Sequence, residues 1–274
     1  MPLFACRGRR ARLDNHGLSC YSIKQTAVLY YTARKGSVLM KKGDARRQEI
    51  LRAAEKLFYL KGYESTSVQD VLIEAGISKG GFYHHFESKA SLLEEIALER
   101  TEEGYERAER AVNACEGGAV EKLNLLFDVG GFFEAGEMEY VSLMIRVIYQ
   151  GGCAQLRDMV KKLRVTRYEP LLTSIVHEGM AAKLFYTGYP DSVARLILMM
   201  DNALTDELAG AVVERQGDPE AIPALMELLN AYRSGVERLL DAPYGSVRLT
   251  GLERIAEVVE AYERDDGKAA RAGQ

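Results

Sequence analysis

Between residues 66 and 86 the chain sets hydroxyls, a cation, an imidazole and small residues at intervals that suit contact with a polyanion. Thr66, Ser67, Ser78, Lys79, Gly80, Gly81, Tyr83 and His84 are interleaved there with apolar Val68, Val71, Leu72, Ala75, Ile77 and Phe82. The apolar set recurs at three- and four-residue steps and defines the inner face of two short helices, which leaves the polar set outside. Hydroxyl, ammonium, imidazole and uncovered backbone N–H groups can all donate to phosphate oxygens or base edges. Adjacent His84 and His85 would diverge by about 100° on a helix, so they are poorly placed to share an ion, and no metal or cofactor is expected.

The elements that must position these groups are legible. From Asp44 to Lys61, apolar Ile50, Leu51, Ala54, Leu57, Phe58 and Leu60 alternate with charged residues in helical period, and Gly62 ends the run. Ser67 and Asp70 form a capping-box pair for a short helix through Glu74, and Gly76 makes a tight turn. Ser78 caps a helix over Lys79 to His85, and Ser88 caps a long one that begins Lys89-Ala90-Ser91-Leu92-Leu93 and runs past Arg110. Two short helices joined by a glycine turn can lay the second into a major groove roughly 12 Å wide.

The residues Gly62-Tyr63, Thr66-Ser67-Val68, Asp70-Val71, Ala75-Gly76-Ile77-Ser78-Lys79-Gly80, Phe82-Tyr83-His84-His85-Phe86, Lys89 and Leu92-Leu93 stand in the order and spacing of a known signature. This run resembles the DNA-binding signature of the TetR family. The resemblance implies an all-α protein with a three-helix helix-turn-helix DNA-binding domain at residues 40–90 and a larger helical ligand-binding and dimerisation domain at 91–274. It also implies a homodimer on a palindromic double-stranded DNA operator, usually a repressor released by a small-molecule effector. By the same resemblance Tyr83 contacts a phosphate, Lys89 and the start of its helix another, and Lys79 and His84 the groove. Gly81 departs from the pattern, which more often has Thr, Ser or Ala there. A base contact is thereby lost, and the short helix gives up about 1 kcal/mol of propensity relative to Ala. Readout is then expected to lean on Lys79, Thr66 and DNA shape.

Beyond Cys115 the chain reads as further helices broken near residues 117–118, 136, 151–152, 188–190 and 217–219. Helices are expected at about 189–214, 220–240 and 246–264. The first two carry apolar residues on more than one face, among them Leu196, Met199, Met200, Leu204, Leu225, Leu228 and Val236, and such helices need a second partner. The resemblance makes that pair the dimer interface, with an ordinary monomeric core as the alternative. An effector pocket is expected among the middle helices, from Phe127, Phe132, Phe133, Tyr140, Met144, Ile148, Tyr149, Tyr168, His177 and Phe185, which combine aromatic bulk with few polar groups. An ordinary core is the alternative for most of these, and an exposed or satisfied histidine the alternative for His177.

Charge is unevenly divided. Residues 1–42 carry nine Lys or Arg against one Asp, residues 43–90 seven of each sign, and the remainder 20 basic against 32 acidic. The net charge of −4 therefore belongs to the body, and it does not exclude a duplex partner met by one face of the head. Residues 1–39 are either a disordered basic arm or lie upstream of a true start at Met40, the latter being favoured because Met40 introduces the first helix directly. No uncharged apolar run is long enough to span a bilayer, and the four cysteines lack CxxC spacing, which fits a reducing cytoplasm. An enzyme is not expected, since the chain has no phosphate-cradling loop and no HExxH. An acidic helical adaptor that binds another protein is the alternative to a DNA-binding regulator.

Overall fold

A computed structural model gives residues 42–130, 138–150, 153–214 and 221–249 as a succession of helices, with no strand among these described residues. The all-α class is therefore the observed one. Residues 1–39, Phe132 and Phe133, and the breaks expected at 136, 151–152 and 217–219 lie outside the described residues.

The head follows its caps. Helix α1, Lys42–Lys61, stops at Gly62, whose φ of 83° lies where a side chain would be strained. Helix α2, Val68–Glu74, starts from Ser67 with both halves of the capping box present. Gly76 (φ 58°) then turns the chain into α3, Lys79–His85, where the Ser78 hydroxyl oxygen accepts from the Gly81 N–H at 3.1 Å. Helix α4, Lys89–Ala114, is capped reciprocally by Ser88 and Ser91 and passes from head into body without interruption.

The body comprises α5 (Ala119–Gly130), α6 (Met138–Ile145, continued by a π-helical turn at Arg146–Gln150), α7 (Ala154–Ala181), α8 (Pro190–Glu214) and α9 (Ala221–Leu240). Helices α4, α5, α7, α8 and α9 enclose the main apolar cluster, around Leu123, Leu172, Ile175, Ile197, Leu208 and Val236. At the end of α7 the chain reverses so tightly that the Phe185 ring occupies the space a side chain on Gly179 would need.

A second cluster holds the head in place. Ile50, Leu57, Phe58, Val71, Leu72, Phe82 and Phe86 pack with Leu92, Leu93, Ile96 and Ala97 of α4, and equally with Leu143, Met144, Val147 and Ile148 of the α6 segment and Leu156 and Val160 of α7. Each of the larger of these side chains (Val, Leu, Ile, Phe, Met) contributes roughly 1.5–3 kcal/mol when fully buried. The opposite face of α6 packs on α8 through Val141 and Ile145 against Ala209 and Val212. Helix α6 is thus sandwiched between the head and α8, and its π-helical turn places Val147 and Ile148 against the head while Tyr149 donates to Asp206 of α8 at 2.6 Å.

The expected helix at 246–264 is not formed where it can be seen. Residues 246–249 are irregular, because Pro243 and Gly245 (φ 76°) interrupt the chain and the N–H groups of Val247 and Arg248 are taken by side chains of other helices. Residues 250–264 lie outside the described residues. Cys115 and Cys153 sit at helix ends and are half-buried.

Candidate nucleic-acid interface

Around α2 and α3 the inner positions are Val71, Leu72 and Phe82, all buried, with Val68, Ala75 and Ile77 half-buried beside them. Outside lie Ser67, Ser78, Lys79, Gly80, Tyr83 and His84, all exposed, with Gly81 half-exposed. Tyr83 is braced edge-to-face on Phe82 at 5.2 Å, which points a rigid phenol outward from α3. The two serines differ in what they still offer. Ser67 donates its hydroxyl proton to Asp70 at 2.6 Å, so its donor is spent beside a carboxylate. Ser78 only accepts, from Gly81, and keeps a proton to give. No atom lies within 4 Å of where a Gly80 side chain would begin, so the backbone there can be approached closely.

Thr66 is a correction. It was expected outside, yet it is 1% exposed. Its hydroxyl donates to the Gly62 carbonyl at 2.8 Å, and the Leu57 carbonyl lies 3.3 Å away. It closes the joint between α1 and α2 and cannot reach a base. Lys89 is likewise turned inward: its ammonium donates to the Tyr63 carbonyl at 2.8 Å and lies 4.2 Å from the Tyr63 ring centre. Burial pushes the Tyr63 phenol above its ordinary range. Residues of α1 without a local sequence signal buttress the motif. Arg46 donates to the Gly76 carbonyl at 2.8 Å, and Arg47 stacks 4.7 Å over Phe86 while pairing with Glu95 of α4. Both joints link residues far apart in sequence.

Electrostatics reinforce these caps. The Asp70 carboxyl is held well below the usual carboxylate range, first by hydrogen bonds from Ser67 and then by Lys61 at 2.9 Å. His85 is held below its ordinary value by burial and then by the positive charges of His84, Arg47 and Arg46. The two imidazoles meet edge-to-face at 4.9 Å, and no group of three or more metal-ligating side chains occurs among the described residues. Between α1 and α4 runs a cleft lined by Gln48, Arg52, Glu55, Glu99, Arg100 and Glu103 over Leu51 and Ile96. Gln48 donates to Glu99 at 2.6 Å and Arg100 to Glu55 at 2.7 Å across it.

The expected effector pocket does not assemble as one site. Phe127, Tyr168 and Phe185 share the main body cluster, where Tyr168 meets Tyr105 at 5.3 Å and Phe127 meets Tyr232 at 6.2 Å, both edge-to-face. Tyr140, Met144 and Ile148 belong instead to the cluster that seats the head, which Tyr149 also adjoins. His177 lies on the surface of α7 with its ring nitrogen 2.8 Å from Asp191. Phe133 lies outside the described residues.

Residues 50–96, which run from the core face of α1 through the motif into α4, match the family described as bacterial regulatory proteins, tetR family. The chain belongs to the TetR family. It is 30% identical to the HTH-type transcriptional repressor KstR2 of Mycolicibacterium smegmatis over 141 residues, 50% of this chain and 66% of that protein. To the KstR2 of Rhodococcus jostii it is 47% identical over 51 residues, 19% of this chain and 25% of that protein. The aligned stretches therefore span less than two thirds of these curated relatives. Among solved structures, the fatty acid degradation regulator FadR from Bacillus halodurans superposes with a TM-score of 0.50 and 19% identity over 70% of this chain and 96% of that one, a likeness of fold. In this TetR-family chain α1 to α3 are the helix-turn-helix head, and α4 is the rod that joins it to the helical body.

Proposed function

We propose that this TetR-family chain is a DNA-binding transcriptional repressor that reads a duplex as a homodimer and releases it when a small molecule binds in the body. The observation that carries the reading is the outward set on α3. Lys79, Tyr83 and His84 stand exposed, with the spare Ser78 proton at the helix start, on a motif whose inner face packs into the cluster of the head. Lys79 and His84 then face the groove and Tyr83 a phosphate, with Gly80 and Gly81 letting the backbone approach closely.

Dimerisation is supported by α8, where Leu196 and Met199 are 49% and 56% exposed and stand three residues apart on one face. Apolar side chains so exposed on a long helix are best explained by a second copy packing through α8 and α9. The effector belongs in the main cluster around Phe127 and Tyr168. Release works by population shift: a ligand that favours one arrangement of the body moves α4 and the sandwiched α6. The two recognition helices then no longer sit about 34 Å apart on one face of the duplex.

Selection of genomic fragments with the purified protein, followed by titration of the enriched duplex against salt, tests this. Affinity should fall steeply as salt rises, since each neutralised phosphate returns counterions to solution. Lys79→Ala and Tyr83→Ala should weaken binding at unchanged helicity, and removal of a phosphate contact should lower the salt slope by about one. The reading fails if no duplex is preferred over random competitor at low ionic strength.

A further inference from the structure

After α9 the chain turns back over the body and meets side chains placed to read its backbone. Asp241 (φ 46°) and Gly245 carry the reversal, and the Ser246 N–H donates to the Pro243 carbonyl at 3.0 Å. The Asn124 amide of α5 then brackets the next residues. Its Nδ2 donates to the Ser246 carbonyl at 3.0 Å and its Oδ1 accepts from the Arg248 N–H at 2.7 Å. Between those two contacts the Val247 N–H donates to Glu237 Oε1 of α9 at 3.1 Å. An amide that gives and accepts at residues two apart treats an extended segment as a neighbouring strand would.

The Val247 side chain completes the fit. It is 1% exposed within the main apolar cluster, the one that holds Tyr168 and Phe185, and Phe127 and Leu249 pack against the same cluster. A segment without helical hydrogen bonds is thus held by three side-chain contacts and one apolar plug. Two oxygens at the seam remain unmet. Glu237 is 4% exposed and its Oε2 has no hydrogen-bond partner, nor has the buried Ser246 hydroxyl. Unmet buried oxygens offset part of what the plug and the three bonds contribute, so the docked segment is held by a modest margin.

We propose that residues 246–249 are an intramolecular latch, seated in a backbone-reading groove between α5 and α9, that closes one end of the main cluster and lifts when an apolar molecule enters. Lifting withdraws Val247 from the cluster and frees Asn124 from α9's trailing segment, so entry of a ligand is linked to loosening of α5 from α9. The latch rests on the effector part of the proposed function. It is read without DNA, so its failure leaves duplex binding untouched.

Hydrogen exchange on the full-length protein, together with stopped-flow association of the apolar dye 8-anilinonaphthalene-1-sulfonate, tests it. In the unaltered protein the Val247 and Arg248 amides should be protected, and they should lose protection when the dye binds. Asn124→Ala should speed their exchange roughly tenfold and raise the dye association rate, with exchange in α1 to α4 unchanged. Should that variant fail to fold, Asn124→Asp keeps the shape and the acceptor for Arg248 while removing the donor to Ser246, and the same two readouts apply. Unprotected amides in the unaltered protein would overturn the latch. So would faster exchange with no change in dye association, which would make the segment a packed chain end and no closure.

Discussion

The Lys89 ammonium lies 2.8 Å from the Tyr63 carbonyl and 4.2 Å from the centre of the Tyr63 ring, which ties the first turn of α4 to the loop that follows α1. A cation so placed completes a polar joint inside the head and has little left for a phosphate. Lys89→Met should therefore cost about 1–2 kcal/mol of stability in denaturant titration, from a charged hydrogen bond and a cation–π contact, while the salt slope of duplex binding stays the same. A slope reduced by about one at unchanged stability would return Lys89 to the DNA.

Thr66→Val should act in the same direction for a different reason. The substitution keeps the volume but deletes the proton shared with the Gly62 and Leu57 carbonyls in a position that solvent does not reach. A loss of about 1–3 kcal/mol is expected in chemical denaturation. Duplex affinity under conditions where the variant is folded should be unchanged, and a selective loss of affinity would mean that Thr66 contacts DNA after all.

Gly179→Ala should be among the most damaging single methyl additions in the body. The new carbon would fall 2.0 Å from Phe185 Cδ2 and 2.5 Å from Cε2. The ring cannot withdraw easily, since it is buried and the Phe185 N–H donates to the Gly179 carbonyl at 3.1 Å. Overpacking of this kind costs roughly 1–3 kcal/mol, to be read as a lowered Tm. Phe185→Leu should recover part of the loss in the double variant but not by itself stabilise the protein; a melting temperature unmoved by Gly179→Ala would refute the close packing.

The pH dependence follows from His85. Its folded-state proton affinity is held below the ordinary value of 6.5 by burial, and next by neighbouring positive charges. The unfolded chain therefore takes up a proton at a pH where the folded head does not. Stability is complete above about pH 6.5 and declines as pH falls from there toward the depressed folded value. Thermal melts from pH 7.5 downward should show that decline, and His85→Gln should flatten it; an equal decline in the variant would assign the slope to other groups.

Much of the head could be read in advance because its determinants are local. Ser67 with Asp70, Ser78 with Gly81, and Ser88 with Ser91 each act over three residues, and Gly62 and Gly76 answer for their own φ. Helices α8 and α9 came out within a residue of their expected spans, since long apolar periodicity and a proline near the start of α8 are again properties of the segment itself. Thr66 was misread for an equally specific reason. A threonine before a capped helix has the same local appearance whether its hydroxyl meets solvent or the last carbonyls of the preceding helix, and only the crossing of α1 and α2 decides which.

The same limit governed the body. Aromatic and apolar character marked Tyr140, Met144 and Ile148 as pocket candidates, but what such residues face depends on which helix lies across the gap, and they pack in the cluster of the head while Phe127 and Tyr168 pack in the main body cluster. The tail shows it most plainly: residues 246–249 have helix-compatible composition, yet Asn124, more than a hundred positions earlier, takes their backbone groups. What the amino-acid order determined by itself was the set of helices, their caps and the polar outer edge of the motif, because those arise from forces acting over one or two turns. What only the tertiary structure decided was the company each face keeps, because burial and hydrogen-bond partnership across long separations depend on how the helices are stacked.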